Sequence, residues 1–215
     1  MDKQIEYYQK RALEYDRVYQ KPERQDDLTK LNSHLQKQFP NKRIIEIACG
    51  TGYWTERIAP NCTSILATDV NLEVLEIAQQ RSYPENKVDF LQKDLRKLDI
   101  PTPPFDALFG GFIWSHIKRE ELVDFLSICL DQVGSNGEIS FIDNQYVEGS
   151  STPISRTDHH NNTYQIRKLS SGATYEILKN FPAKLELEAI AKQKNLSVEW
   201  VSFKYYWFAK FKKSL

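Results

Sequence analysis

Residues 44–55 read Ile44-Ile45-Glu46-Ile47-Ala48-Cys49-Gly50-Thr51-Gly52-Tyr53-Trp54-Thr55, an apolar run that breaks at a Gly-x-Gly turn and resumes with helical character. Glycine lets the backbone turn tightly and approach a ligand closely, with the helix N-terminus beneath it. The next apolar run ends in Leu66-Ala67-Thr68-Asp69-Val70, which sets an acid at the tip of the second strand. Such an acid can accept hydrogen bonds from both hydroxyls of a ribose. Gly-x-Gly alone is weak evidence; strand, turn, helix, strand and acid in this order point to a nucleoside-bearing ligand.

Outward from this unit, apolar runs of strand length at 43–48, 64–68, 88–91, 107–111 and 138–142 alternate with helical stretches at 54–58, 72–80 and 119–130. That alternation is the pattern of a parallel sheet covered by helices. Gly134 and Gly137 are expected to supply the turn into the fifth strand. Ahead of the unit lie helical segments at 4–19 and 23–38, separated by Lys21-Pro22, which breaks the helix. Residues 144–163 are polar, without a period, and long for a connection, as functional lids often are. Segments 164–169 and 174–178 read as hairpin strands around Ser170-Ser171-Gly172. Pro182 is expected to open a last helix to about 193, and 196–201 and 205–211 to form closing strands.

Two ligand classes fit the glycine turn: a nicotinamide or flavin dinucleotide, and S-adenosyl-L-methionine. The dinucleotide fingerprint wants a third glycine three residues after the second, where the helix passes close to the sheet. Thr55 occupies that place, and Glu46 has no role in pyrophosphate binding. The segment Glu46 to Gly52 resembles the first motif of the class I, seven-stranded S-adenosylmethionine-dependent methyltransferases. The resemblance continues through Asp69-Val70-Asn71, through Val88-Asp89-Phe90-Leu91-Gln92-Lys93-Asp94-Leu95, and through Phe105-Asp106-Ala107-Leu108-Phe109-Gly110-Gly111.

The resemblance implies an α/β fold: a three-layer, doubly wound, mostly parallel seven-stranded sheet with an N-terminal helical cap and a lid and hairpin after the fifth strand. It implies one methyltransferase domain over 1–215, with a cap at 1–40, a cofactor-binding core at 41–143, a substrate lid and hairpin at 144–181, and a closing helix and strands at 182–215. S-adenosyl-L-methionine is the implied cofactor. Ala48, Gly50, Thr51, Gly52 and Trp54 would carry the binding turn, and Glu46 would hold it or contact the methionine part through water. Asp69 and Val70 would meet the ribose, Asp94 and Leu95 the adenine, and Gly110 and Gly111 the methionine moiety. Asp94 is equally placed to cap the backbone that follows it, and Cys49 reads as a small packing residue.

Tyr8, Arg11, Tyr15 and Tyr19 recur at spacings of three and four, hence on one helical face. A tyrosine stripe is ordinarily packing; Arg11 on it favours function. A similar helix closes over the cofactor in small-molecule members of the family, so Tyr8, Arg11 and Tyr19 are expected near the cofactor and Tyr15 near the reaction. After the fourth strand, Phe112-Ile113-Trp114-Ser115-His116 offers Trp114 as a candidate wall and His116 either as a general base, its ordinary pKa being close to working pH, or as a residue that only caps or packs. Asp143 is a further candidate for proton handling. Tyr146, Arg156, Tyr164 and Arg167 in the lid region suit a polar or acidic acceptor.

The 215 residues carry 29 Lys and Arg against 29 Asp and Glu, so no net positive field draws the chain to nucleic acid or membrane. The basic, aromatic end from Lys204 to Lys213 reads more simply as a closing strand than as a nucleic-acid surface. Phe109-Gly110-Gly111-Phe112 lacks the prolines that amino-methylating nucleic-acid enzymes place after the fourth strand. Three well-separated cysteines read as reduced thiols, and adjacent His159 and His160 seldom face one ion, so no metal is expected. Nothing at Met1-Asp2-Lys3-Gln4 looks like a signal peptide, so the chain is expected in the cytoplasm, as a monomer or homodimer. The expected activity is methyl transfer to an oxygen or nitrogen of a small polar metabolite. The alternatives are a non-catalytic S-adenosylmethionine-binding partner protein and an NAD-dependent oxidoreductase.

Overall fold

A computed structural model describes residues 3–98, 100 and 104–213; the expected domain limits at 1 and 215 fall outside them. The strands are β1 (Arg43–Ile47), β2 (Ser64–Asp69), β3 (Val88–Gln92), β4 (Phe105–Gly111), β5 (Val133–Asn144), β6 (Arg156–Thr157), β7 (Thr163–Lys168), β8 (Thr174–Leu178), β9 (Leu196–Ser202) and β10 (Tyr206–Lys213). The helices are α1 (Lys3–Arg11), α2 (Gln25–Leu35), α3 (Tyr53–Ile58), α4 (Leu72–Gln79), α5 (Leu122–Leu130) and α6 (Lys184–Lys192).

Seven strands form one sheet in the order β3-β2-β1-β4-β5-β10-β9. The neighbours from β3 to β5 pair in parallel, and β10 runs antiparallel to both β5 and β9. Ile44, Ile45, Glu46 and Ile47 are all buried, as a central parallel strand covered on both faces requires. One apolar core, containing Leu31, Phe39, Ile44 and Phe208, covers one face; a second, containing Leu108, Trp114, Leu126 and Trp207, covers the other. The sheet is therefore the middle layer of three. β1 lies between β2 and β4, so the chain reverses its winding there and a crevice opens at the strands' carboxyl ends.

Four expectations need correction. The helical pattern of 4–19 is not one α-helix: α1 stops at Arg11, and Ala12–Gln20 continues as a tighter 3-10 helix. Edge contacts still link Tyr8 to Tyr15 at 5.9 Å and Tyr15 to Tyr19 at 6.1 Å, so the stripe persists without a single helical face. Gly134 and Gly137 do not precede the fifth strand but lie inside β5, where the register against β4 shifts between Phe105 and Ala107. Pro182 precedes rather than opens the last helix, whose N-cap is Ala183. The lid is not irregular throughout: Arg156–Thr157 joins the hairpin as a third strand, giving the small sheet β6-β7-β8.

This small sheet and the N-terminal segment close over the crevice together. Tyr7 is buried against Leu169 and Ile177. Tyr175 donates its hydroxyl to Glu6 at 3.0 Å, and Glu14 accepts from the amide and hydroxyl of Ser170. Among the described residues no helix is long and apolar enough to cross a membrane.

Candidate active site

The glycine turn folds as it does because three of its residues take left-handed backbone angles: Ala48 at φ 51°, Gly50 at 57° and Gly52 at 75°. At Gly52 a Cβ would stand 2.4 Å from the Tyr83 hydroxyl and 3.0 Å from the Ala78 Cβ, so this glycine is required by packing as well as by angle. At Gly50 a Cβ would meet nothing within 4 Å, because the backbone there faces a cavity. Asp69 ties the turn to β2: one carboxylate oxygen accepts from the Gly50 amide at 3.0 Å, the other from the Asn71 amide at 2.9 Å. Burial raises its pKa, while the Asn71, Gly50 and Val70 amides oppose the rise.

The cavity, about 120 Å³, is lined by Ala48, Gly50, Asp69, Val70, Asp94 and Leu95, with Gly111 toward the β4 end. Ile5, Val74, Ile113 and Ile117 supply its apolar walls. Asp94 lines the cavity and caps the backbone that follows it, accepting from the Arg96 amide at 2.9 Å.

A second cavity of about 240 Å³ lies beside the first, under the N-terminal segment and the small sheet. Tyr8, Tyr15, Phe112 and His116 line both cavities and form the wall between them. Phe112, at φ 60°, is a strained aromatic at that wall; its amide donates to Ile142 at 2.8 Å and its ring meets Tyr19, Trp54 and Tyr206. His116 Nδ1 lies 2.6 Å from the Leu178 carbonyl, which can only accept. Nδ1 therefore carries the proton, and Nε2 accepts the Tyr8 hydroxyl at 2.8 Å. Burial, then the nearby Lys179 ammonium, holds the His116 pKa well below its ordinary value. The imidazole is thus neutral, with its lone pair on the Tyr8 hydroxyl. Its pKa lies below the working range expected from sequence, because the ring is buried beside a cation.

Behind this wall, Lys179 donates to Asp143 at 2.7 Å and to the Ser115 hydroxyl at 2.6 Å. Burial alone would raise the Asp143 pKa, but the Lys179 ammonium beside it pulls it below its usual range. Burial lowers Lys179 to about 8 against the pull of Asp143.

Of the residues singled out from sequence, Arg11, Tyr19 and Arg167 line the second cavity, and Tyr8, Tyr15 and His116 line both. Arg11 lies between the rings of Tyr7 and Tyr15, at 5.5 and 5.4 Å. Others lie off both cavities. Glu46 and Gly110 are buried within the sheet. Thr51 donates to Asp16 at 2.5 Å, and Trp54 packs edge-on to Tyr19. Trp114 stacks on Phe211 in the opposite core, so it walls nothing. Asp143 is occupied by Lys179, Ser115 and Asn144. Tyr146 rests on Phe181 at the surface, Arg156 forks onto Glu176, and Tyr164 donates to Asp158. Sequence reasoning missed Lys21, Arg24, Gln165 and Lys179, all of which line the second cavity. Lys21 and Arg24 flank the Pro22 helix break, the one local signal that the chain bends there.

Residues 44–137 match a family of methyltransferase domains. A putative methyltransferase of Bacillus subtilis, YqeM, is 33% identical over 75 residues, covering 34% of this chain and 30% of that protein. Phosphoethanolamine N-methyltransferase 1 of Caenorhabditis elegans is 24% identical over 97 residues, covering 45% of this chain and 20% of that protein. The chain thus spans less than half the length of these curated relatives. Among solved structures, DhpI in complex with SAH superposes with a TM-score of 0.81 at 23% identity, covering 99% of this chain and 96% of that one. A DhpI-SAM-HEP complex superposes equally well, at 22% identity, covering 98% and 96%.

Proposed function

We propose that this chain, which has the class I methyltransferase fold and carries a methyltransferase domain, transfers the methyl group of S-adenosyl-L-methionine to an oxygen or nitrogen of a small polar acceptor. The observation that carries this reading is the wall of Tyr8, Tyr15, Phe112 and His116 between two adjoining cavities. One cavity suits a nucleoside and the other an acceptor.

The residues of the first cavity fit S-adenosylmethionine. The open space over Gly50 admits the close approach of a ligand, Asp69 offers carboxylate lone pairs at the tip of β2, and Val74, Ile113 and Ile117 offer apolar surface to a purine. When bound, the cofactor supplies an electrophilic methyl on a sulfonium. Asp69 would hold the ribose and Asp94 with Leu95 the adenine, which leaves Gly111 and Phe112 beside the methionine end.

In-line substitution at a methyl needs a nucleophile lined up behind the carbon, so orientation and exclusion of water do most of the work. Tyr8, Tyr15 and Phe112 set the approach, and the N-terminal segment latched to the small sheet keeps solvent out. If the attacking group is a hydroxyl or ammonium, its proton would pass to His116 Nε2 through the Tyr8 hydroxyl. A carboxylate nucleophile needs no base.

The second cavity disfavours a purely cofactor-binding partner protein, which has no use for an acceptor site beside the cofactor. The same reading takes residues 1–215 as one methyltransferase domain of the cytoplasm, monomeric or homodimeric, acting on a small molecule and on neither nucleic acid nor membrane. The test is release of S-adenosylhomocysteine during incubation with S-adenosylmethionine and fractionated small metabolites. Release dependent on one metabolite fraction supports the reading; no release from any fraction, with nucleic acid methylated instead, overturns it.

A further inference from the structure

The second cavity has a charge that nothing inside it balances. Arg11, Lys21, Arg24, Arg167, Lys168 and Lys179 line it, and no carboxylate does among the described lining residues. Lys179 is compensated from behind by Asp143. Arg24 is not compensated in this way, although it is buried to 6% exposure. Its nitrogens donate to the Ser150 hydroxyl at 2.9 and 3.0 Å, to the Ser150 carbonyl at 3.1 Å and to Asn144 Oδ1 at 3.2 Å. All of these acceptors are neutral.

Arg167, half-buried, donates to Gln165 Oε1 at 2.7 and 3.3 Å, again a neutral acceptor. Gln165 is itself buried and fixed by donating to the Thr152 carbonyl at 2.5 Å. Lys21 donates to the same Ser150 carbonyl as Arg24. Burial lowers its pKa; Arg24 and then Arg167 push in the same direction, against Glu23, so Lys21 feels the other cations of the cavity. Two carboxylates lie outside the lining: Glu14 accepts from Ser170 and Arg17, and Glu23 accepts from the Ser150 hydroxyl and partly offsets Lys21 and Arg24. Arg167 has no carboxylate partner among the described residues.

Burying a cation without a counter-charge is costly. Hydrogen bonds to neutral oxygens occupy the Nε/Nη2 edge of each guanidinium without neutralising its charge, leaving an Nη1 N–H of each to face an oxyanion. Here two guanidiniums are held in place by neutral oxygens, oriented but not neutralised. We propose that the methyl acceptor is a small acid, whose oxyanion group is bound in this cavity by Arg24 and Arg167 with Lys21. This rests on the methyltransferase reading of the site and adds the chemical class of the acceptor. The recognised group is a phosphoryl, phosphonyl or carboxyl oxyanion; the field disfavours acceptors of net positive charge and gives neutral polyols no anchor.

The experiment is thermal-shift and calorimetric titration of the full chain, saturated with S-adenosylhomocysteine, at constant ionic strength. The probes are methylphosphonate, acetate, ethanolamine and ethylene glycol. At least one of the two anions should raise Tm, which of them separating the phosphonyl from the carboxyl source, while ethanolamine and ethylene glycol leave Tm unchanged. Arg167→Gln and Lys21→Gln should each weaken binding of the effective anion at least tenfold and leave affinity for S-adenosylhomocysteine within about twofold. Lys21, with one hydrogen bond, keeps the test valid should Arg167→Gln fold poorly. Stabilisation by ethanolamine or ethylene glycol with neither anion effective overturns the proposal, as does anion binding unchanged in both variants. Failure of S-adenosylhomocysteine itself to bind would instead overturn the methyltransferase reading, so the two failures are distinguishable.

Discussion

The hydroxyl of Tyr8 lies 2.8 Å from Nε2 of His116, and the pair joins the N-terminal helix to the segment after β4 at the boundary of the two cavities. The Leu178 carbonyl on the other ring nitrogen fixes the tautomer. If Nε2 receives the proton of the acceptor, His116→Ala should lower kcat by about 10²-fold. Affinity for S-adenosylhomocysteine should stay within about twofold. Steady-state kinetics beside calorimetry make the comparison, and an unchanged kcat would leave His116 a packing residue only.

Stability should also report on this imidazole. Its pKa is lowered in the folded state by burial first and Lys179 second, so below the ordinary value of 6.5 the unfolded chain takes up a proton that the folded chain refuses. The sign is that stability falls as pH drops through that window. Urea unfolding of the protein and of His116→Asn between pH 7.5 and 5.5 should diverge by about 1 kcal/mol per pH unit below 6.5, with the variant flatter. Parallel curves would contradict the buried neutral imidazole.

Glu46 should show the opposite sign. Burial within β1 raises its pKa to about 8, and one carboxyl oxygen has no partner. Between 4.5 and about 8 the folded chain holds a proton that the unfolded chain has lost, so stability declines as pH rises across that range and levels off above it. Glu46→Gln removes this titration. Its stability relative to the unsubstituted chain should therefore improve steadily from pH 5 to pH 8, read by the same unfolding assay, and a constant difference would mean that Glu46 is ionised.

The Lys179–Asp143 pair should behave as a unit. Asp143→Asn strands a buried ammonium and should cost about 3–5 kcal/mol, with part of the loss recovered between pH 7 and 9. Lys179 already titrates at about 8, well below its ordinary value, so the folded chain sheds that proton first and gains as pH rises. The double variant Asp143→Asn with Lys179→Met should be more stable than Asp143→Asn alone; additive losses in a double-mutant cycle would show that the two do not interact.

What the sequence revealed and what it hid follow from the range of the interactions. Gly50 and Asp69 were legible because a strand, a turn and a strand bring them together within one local unit, joined at 3.0 Å. The same holds for the order of β1 to β5. Asp143 looked like a proton-handling residue because its partner Lys179 stands 36 positions later, just past β8, where no local pattern announces it. Arg24 was missed because its acceptor Ser150 is 126 positions away. Trp114 was placed on the cavity wall by its position after β4, but the short 3-10 turn Trp114–His116 sends it into the opposite core and gives the wall to Phe112 and His116. Composition hid the field of the acceptor cavity, since a balance of 29 against 29 says nothing of where the cations gather.

The central claim is most directly tested by isothermal titration of the full chain with S-adenosylhomocysteine and, separately, with NAD. The account predicts saturable binding of S-adenosylhomocysteine at one site per chain, abolished by Asp69→Ala, and no heat from NAD. Binding of NAD with none of S-adenosylhomocysteine would contradict it.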